Sequence, residues 1–277
     1  MDVEQAVRAY HQLSKHRPDG YAAGPGQLDW ATQPAPFRRY AGARLIELWQ
    51  RPQEESPGYD SVFAAPLGAP AELSRASLSQ LLYDSLALSA WKEAGGSRWA
   101  LRVNPSSGNL HPTEAYLLLP SGVVGEAGVL AHYAADEHAL EVRSELPAAL
   151  ALQLAEALPA GGFLLGLASI AWREAWKYGE RAYRYCQHDL GHALACLSIA
   201  ASVQGWQVRL LRGVAESRLD GLLGLDREGF YEAEHADCLL WIGPPQPGEF
   251  KLPGSLLNGL AVLELAGQPN RLSRHYR

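Results

Sequence analysis

Three stretches of this chain, 115–119, 163–171 and 236–243, are apolar at nearly every position rather than at every second one. A strand of that kind is buried on both faces, so helices must pack above and below the sheet such strands build. The helices to do so are present. Val3, Ala6, Val7, Tyr10 and Leu13 recur at helical spacing over 2–14. Leu78, Leu81, Leu82 and Leu86 do the same over 77–89, with Ser77 as the expected N-cap. Residues 146–158 are rich in Ala and Leu and read as a helix. Two helices are expected over 172–187 and 190–204, with Asp189 between them as an N-cap and Gly205 as the terminator. A short one over 217–223 is closed by Gly224.

Residues 129–134 and 138–142 flank Asp136-Glu137 and predict a hairpin, and 206–211 predicts a further strand. Helices and hairpin strands are mixed without a strict βαβ alternation. The expected class is therefore α+β, with a mostly antiparallel central sheet and helices packed around it. Residues 17–70 are rich in Pro and Gly with little periodicity. They read as a long, mostly irregular arm that wraps its own domain or a partner subunit.

With 47% hydrophobic and 19% charged residues, the 277-residue chain has the composition of a folded protein with a large core. Its net charge of -6 argues against nucleic-acid binding, which needs dense Lys and Arg. No uncharged apolar stretch is long enough to span a bilayer, and the first residues lack the apolar segment of a signal peptide. Cys186, Cys196 and Cys238 are far apart and odd in number, so neither a disulfide framework nor a zinc site is implied, and a cytoplasmic location is the simplest reading. The histidines lack metal-ligand spacing, so no metal site is expected. Dinucleotide-binding and P-loop glycine motifs and a nucleophile elbow are absent.

Two segments carry chemistry. Asn104, Pro105, Ser106, Ser107, Gly108 and Asn109 form a turn-prone loop in which Gly108 permits close approach of a planar ligand and Ser and Asn offer hydrogen bonds at its edge. Arg102 just before the loop can pair with a phosphate or lie near a heteroaromatic ring. A flavin requires such an environment; an ordinary turn before a buried strand is the alternative. In the second segment, Lys177, Arg181, Arg184 and His188 share one face of a continuous helix and can hold a phosphate or a reduced flavin. A solvated face laced with Glu174–Lys177 and Glu180–Arg184 pairs is the alternative there. Trp172 and Trp176 read as core. His192 reads as a hydrogen-bonded core histidine, and the small residues Gly191, Ala193, Ala195 and Ser198 read as core or dimer packing.

The stretch from Arg102 to Tyr116, with Pro105-Ser106, Gly108, Pro112 and Glu114 in place, resembles the Arg-x-x-Pro-Ser-x-Gly-x-x-x-Pro-x-Glu-x-Tyr segment of SagB-type flavin dehydrogenases in the nitroreductase superfamily. Lys177-Tyr178-Gly179 with Arg181 resembles the Lys-Tyr-Gly-x-Arg segment of the same proteins, and 189–205 is similar to their Gly-His-Ala helix. The arm from Leu28-Asp29-Trp30 to Arg38-Arg39-Tyr40 also resembles members of that group, and the likeness spans about residues 10–245. It implies a dimerising FMN domain over 77–245, preceded by an N-terminal helix and arm over 1–76 and followed by a tail over 246–277. It also implies flavin against the 104–109 loop, Lys177 and Tyr178 as acid/base residues, and Arg102, Arg181 and Arg184 as flavin or phosphate contacts. The substrate is then a small molecule or a peptide, with NAD(P)H a candidate reductant, and a homodimer completes the site where longer members carry two such domains. One feature departs: the Arg-Arg-Ser-x-Arg phosphate clamp has no counterpart in about 60–78, where Arg75 is the lone arginine. A non-catalytic partner or scaffold subunit is the alternative this departure raises.

Overall fold

The computed structural model describes residues 2–49, 57–63, 69–227 and 229–274. In chain order the elements are α1 (Val3–Ser14), β1 (Tyr40–Ala41), β2 (Arg44–Glu47), α2 (Tyr59–Val62), α3 (Arg75–Ser85), β3 (Leu88–Ala94), β4 (Ser97–Arg102), β5 (Thr113–Leu119), β6 (Val129–Ala134) and β7 (Ala139–Glu145). There follow α4 (Ala148–Ala157), β8 (Phe163–Ser169), α5 (Ala171–Tyr178), α6 (Ala182–Val203), β9 (Gln207–Leu210), α7 (Glu216–Leu223), β10 (His235–Gly243), α8 (Gly254–Ala261) and β11 (Gln268–Pro269). Seven strands form one antiparallel sheet in the order β2-β7-β6-β5-β8-β10-β9. The doubly apolar runs occupy its middle: every residue of β5 and β8 is buried.

Alternation along the strands sends successive side chains to two separate cores. Ala115, Leu117 and Leu119 of β5, with Leu165 and Leu167 of β8, meet Leu78, Leu81 and Leu82 of α3 and Leu190, Leu197 and Ala201 of α6. Tyr116 and Leu118, with Leu164, Leu239 and Trp241, meet Leu150 and Leu154 of α4, Leu219 and Leu222 of α7, and Leu256 and Leu260 of α8. The α+β class with helices on an antiparallel sheet is what the sequence predicts.

Several local expectations are corrected. Ser74, not Ser77, caps α3: Ser74 Oγ accepts from Ser77 N at 3.3 Å while Ser77 Oγ accepts from Ser74 N at 2.9 Å. Ser77 satisfies a cap from inside the helix. The helices around 172–204 do not divide at Asp189. They divide at Gly179, whose φ of 53° and ψ of -124° suit glycine alone, and Asp189 lies inside α6 with 1% exposure. The helix expected over 77–89 ends at Ser85, and residues 88–102, of which 90–102 are given no element by the sequence, form the two-stranded β3–β4 hairpin around Gly95-Gly96. Within the mostly irregular arm, β2 pairs with β7 as an edge of the main sheet.

The arm lies on its own domain and is tied there by buried charge. Arg38, 1% exposed, donates to Glu234 at 3.2 Å and to the Asn270 carbonyl at 2.5 Å. Glu232 accepts from the backbone of Leu272 and Ser273, and β1 pairs with β11. Below these contacts sits Glu114 of β5. It accepts from Arg173 of α5 at 2.5 Å, lies 3.8 Å from Arg102, and bonds His132 at 3.2 Å. Burial opposes its charge, but Arg173 and Arg102 hold its carboxyl well below the ordinary carboxylate range. Burial likewise opposes protonation of His132, yet its bonds to Glu114 and Glu141 raise it above the usual imidazole value.

Glu114→Gln keeps the volume but removes the charge that Arg173 and Arg102 face. We expect a stability loss of about 3–5 kcal/mol, read from urea unfolding near neutral pH. A loss below about 1 kcal/mol would mean that the two arginines find other partners.

Candidate functional site

The 103–112 loop leaves β4 and enters β5, and its shape is dictated by one carboxylate. Asp189 of α6 accepts from Ser106 Oγ at 2.7 Å, from Ser107 N at 3.0 Å and from Ser107 Oγ at 3.1 Å. Ser106 Oγ in turn accepts from His111 N at 2.8 Å. Asn109 Nδ2 donates to the Ala100 carbonyl at 2.8 Å, and its Oδ1 meets His111 Nε2 at 2.9 Å. Burial, with Arg102 nearby, lowers His111 to about 3, so its ring is neutral. Gly108 and Asn109 both have φ of 61°. With Ser106 and Ser107 committed to Asp189, the part of the loop left to the outside is Pro105 and Gly108, both exposed.

Gly108 is where the two sequence segments meet. A Cβ there would lie 2.5 Å from the Tyr178 hydroxyl and 2.9 Å from Lys177 Nζ. Lys177 Nζ stands 3.5 Å from the Gly108 carbonyl and 5.5 Å from the Tyr178 ring centre. Tyr178 packs on Tyr185 with ring centres 4.3 Å apart. Burial and the nearby Glu174 raise the Tyr178 hydroxyl above its ordinary value. Lys177 and Tyr178, 69 and 70 positions beyond Gly108, thus converge on the space that the missing side chain of Gly108 leaves.

The expected cationic face does not form. Gly179 breaks the helical phase, so Lys177 turns to the loop while the arginines turn to the N-terminal helix. Arg181 donates to the Ser14 carbonyl, and Arg184 donates to Ser14 Oγ at 2.9 Å and stands 3.3 Å from His11 Nδ1. Arg102 faces inward, donating to Thr113 O at 3.2 Å and Pro36 O at 2.7 Å. Arg75 donates to the Glu47 carbonyl and lies 5.0 Å over the Trp49 ring. Trp176 is buried, as expected. His192 is not a core residue: it is exposed and its Nδ1 meets the Pro105 carbonyl at 3.1 Å, buttressing the loop. Of the small residues on α6, Ala193 is buried, whereas Gly191, Ala195 and Ser198 lie exposed beside Ile199.

Two features escape sequence reasoning. Glu174 is fully buried, no donor satisfies either of its carboxyl oxygens, and the Asp189 carboxyl stands beside it. Burial and the Asp189 charge push it up to about 9, so it is neutral at pH 7. A mid-helix Glu gives no sequence signal of this. Arg209, Leu210 and Arg212 at the sheet's edge and Phe250 and Lys251 after β10 line a cavity of about 360 Å³. Glu249 also borders it, but among the described residues none of its three cations is in an ion pair. No group of residues fit to hold a metal occurs among the described residues, and none of their helices is long and apolar enough to cross a membrane.

The nitroreductase family model matches residues 70–243, which takes in both converging segments. The chain belongs to the nitroreductase family. Among similar proteins, this nitroreductase-family chain is 35% identical over 131 residues to the trifolitoxin-processing protein TfxB of Rhizobium leguminosarum bv. trifolii, a match covering 44% of the chain and 35% of TfxB. A putative nitroreductase from Anabaena variabilis superposes with a TM-score of 0.68 at 26% identity, over 90% of this chain and 49% of that one. A chain of the E. coli microcin synthetase McbBCD complex with truncated pro-MccB17 bound superposes with a TM-score of 0.50 at 20% identity, over 73% of this chain and 79% of that one, a likeness of fold alone. This chain thus spans half or less of the length of the first two relatives.

Glu174 supplies a pH test. A carboxyl raised in the folded state stabilises the fold fully below its ordinary value, and that contribution is lost as pH rises toward the folded value. Between about pH 5 and about pH 9 the wild type should lose stability by as much as 1.4 kcal/mol per unit, while Glu174→Gln does not share this part of the loss. His132 acts in the same direction but is common to both proteins. The stability of the variant relative to wild type, from urea unfolding, should therefore climb across that range; a constant difference would mean that Glu174 ionises normally.

Proposed function

We propose that this chain is an FMN-dependent oxidoreductase of the SagB-type branch, moving a hydride between flavin and a small or peptide-borne substrate. The convergence of Lys177 and Tyr178 on Gly108 carries the reading. It sets two groups able to carry a proton beside an exposed glycine backbone, and both segments lie within the matched family region. The residues fit the cofactor at this place: Gly108 is a cradle that a single Cβ would fill, and Asp189 fixes its backbone from beneath.

Bound FMN would supply the two-electron chemistry. Lys177 and Tyr178 would hold or move the substrate proton. The neutral Glu174 beneath them adds no negative charge that would pin the Lys177 ammonium in place. We assign the cofactor phosphate to Arg209, Arg212 and Lys251, because Arg102, Arg181 and Arg184 already hold protein oxygens. The name of TfxB, a trifolitoxin-processing protein, favours a peptide substrate. The exposed Gly191, Ala195, Ser198 and Ile199 face of α6 is the surface we assign to a homodimer. A non-catalytic subunit is the second reading, favoured by the arginine-poor 60–78 stretch and by Arg75 being committed to Glu47.

Purified protein titrated with FMN should develop a bound-flavin spectrum with micromolar affinity, and size exclusion should report a dimer. Arg209→Ala with Arg212→Ala should weaken that affinity by about tenfold or more. Lys177→Ala should retain flavin but lose turnover by a factor of about 10²–10⁴. Absence of FMN binding would favour the scaffold reading, and full turnover in Lys177→Ala would remove that residue from the chemistry.

Gly108→Ala should cost about 1–3 kcal/mol, because alanine must adopt a positive φ and displace Tyr178 and Lys177. Thermal unfolding and FMN titration of the variant check this together.

A further inference from the structure

Between the arm and the β3–β4 hairpin lies a cleft of about 390 Å³ that no sequence motif marks. Phe37 of the arm, Trp91, Arg98 and Trp99 of the hairpin, and Asn109 and Leu110 of the loop line it. Trp91 and Trp99 are 48% and 37% exposed, unusual for two indoles on one short hairpin. Phe37 and Trp91 have ring centres 6.4 Å apart at 55°, forming two inclined walls rather than a closed stack. The Arg98 guanidinium lies 4.3 Å from the Trp91 ring centre. Strand pairing places Glu93 opposite Arg98, yet among the described residues Arg98 has no ion pair.

Each of these features points to the same ligand. Exposed aromatic walls bury a flat ring, and such pairs contribute beyond area alone. A guanidinium held flat on an indole keeps its edge donors directed outward, where they match a carboxylate. Asn109 already directs its side chain to Ala100 and His111, and among the described residues Arg98 is the one charged residue lining the cleft. Arg98 is therefore the cleft's free polar handle, and its charge stands out in a chain of net charge -6.

We infer that this cleft is a binding site for a planar aromatic or heteroaromatic ring bearing a carboxylate, free or as an aromatic residue beside an acidic one in a peptide. The ring packs against the Phe37, Trp91 and Trp99 side chains that line the cleft, and the carboxylate pairs with Arg98. The cleft adjoins the 104–109 loop at Asn109, so it extends the proposed site by naming the chemistry of the acceptor it takes. The assignment of this ligand to turnover rests on the proposed function; its binding does not.

Isothermal titration of the protein, without added flavin, with 1-naphthoate, 1-naphthalenemethanol and 1-naphthylmethylammonium separates the two. The expected result is one-to-one binding of 1-naphthoate, with the alcohol and the cation each weaker by about tenfold or more. Trp91→Ala and Arg98→Met should each weaken 1-naphthoate by about tenfold, while Arg98→Met leaves the alcohol unchanged. Both positions are on the exposed hairpin, and circular dichroism of Trp91→Phe controls for folding while retaining a ring. Equal binding of the three probes, or unchanged 1-naphthoate affinity in both variants, overturns the inference. Loss of FMN binding with naphthoate binding intact would instead count against the proposed function and leave the cleft standing.

Discussion

Glu114 sits at the middle of the sheet with its carboxyl removed from water, and the parts of the molecule that matter for chemistry are hung from it. Arg173 reaches it from α5, one turn before Lys177. Arg102 reaches it from the end of β4, two residues before Asn104. The same two arginines donate to the arm, Arg173 to the Ala35 carbonyl and Arg102 to the Pro36 carbonyl. A buried carboxylate is tolerable when cations and hydrogen bonds surround it, and removing it leaves those cations stranded. One side chain of β5 thereby fixes the helix that carries Lys177, the strand that delivers the loop, and the arm that covers both.

Asp189 performs a second, more local version of this work. Its oxygens take up the donors of Ser106 and Ser107, which would otherwise compete for any ligand on the loop. Glu174, crowded against it in a place without donors, stays neutral. Two adjacent buried carboxyls do not both ionise readily at short range, and the proton left on one of them lets α5 and α6 pack closely. The loop is thus stiffened from beneath while Lys177 and Tyr178 close on Gly108 from α5.

The sheet was legible in the sequence because its middle strands are short runs apolar on both faces and bounded by Pro, Gly or charged residues. The helices over them were legible from periodicity. The hairpin was not: Trp91, Lys92 and Glu93 neither alternate cleanly nor face a core, and Gly95-Gly96 alone is a weak turn signal. Asp189 misled because Asp is favoured at N-caps, whereas here its acceptors serve a loop 82 residues earlier. Arg181 and Arg184 misled for a different reason. Helical spacing predicts a shared face with Lys177 only if the phase persists, and the backbone at Gly179 breaks it. The resemblance of the two segments to SagB-type proteins located the pair Lys177 and Tyr178, but the convergence on Gly108 is a tertiary fact.

The arm joins these observations. Gln33 to Phe37 lines the aromatic cleft on one side, and the carbonyls of Ala35 and Pro36 accept from Arg173 and Arg102 on the other. A ligand wedged against Phe37 bears on a segment whose position sets, through two arginines, the placement of α5 and of the loop. Phe37 also faces the Arg102 guanidinium at 5.6 Å, so the contact is direct. Cleft, α5 and loop are therefore joined through one short stretch of the arm and the two arginines that hold it.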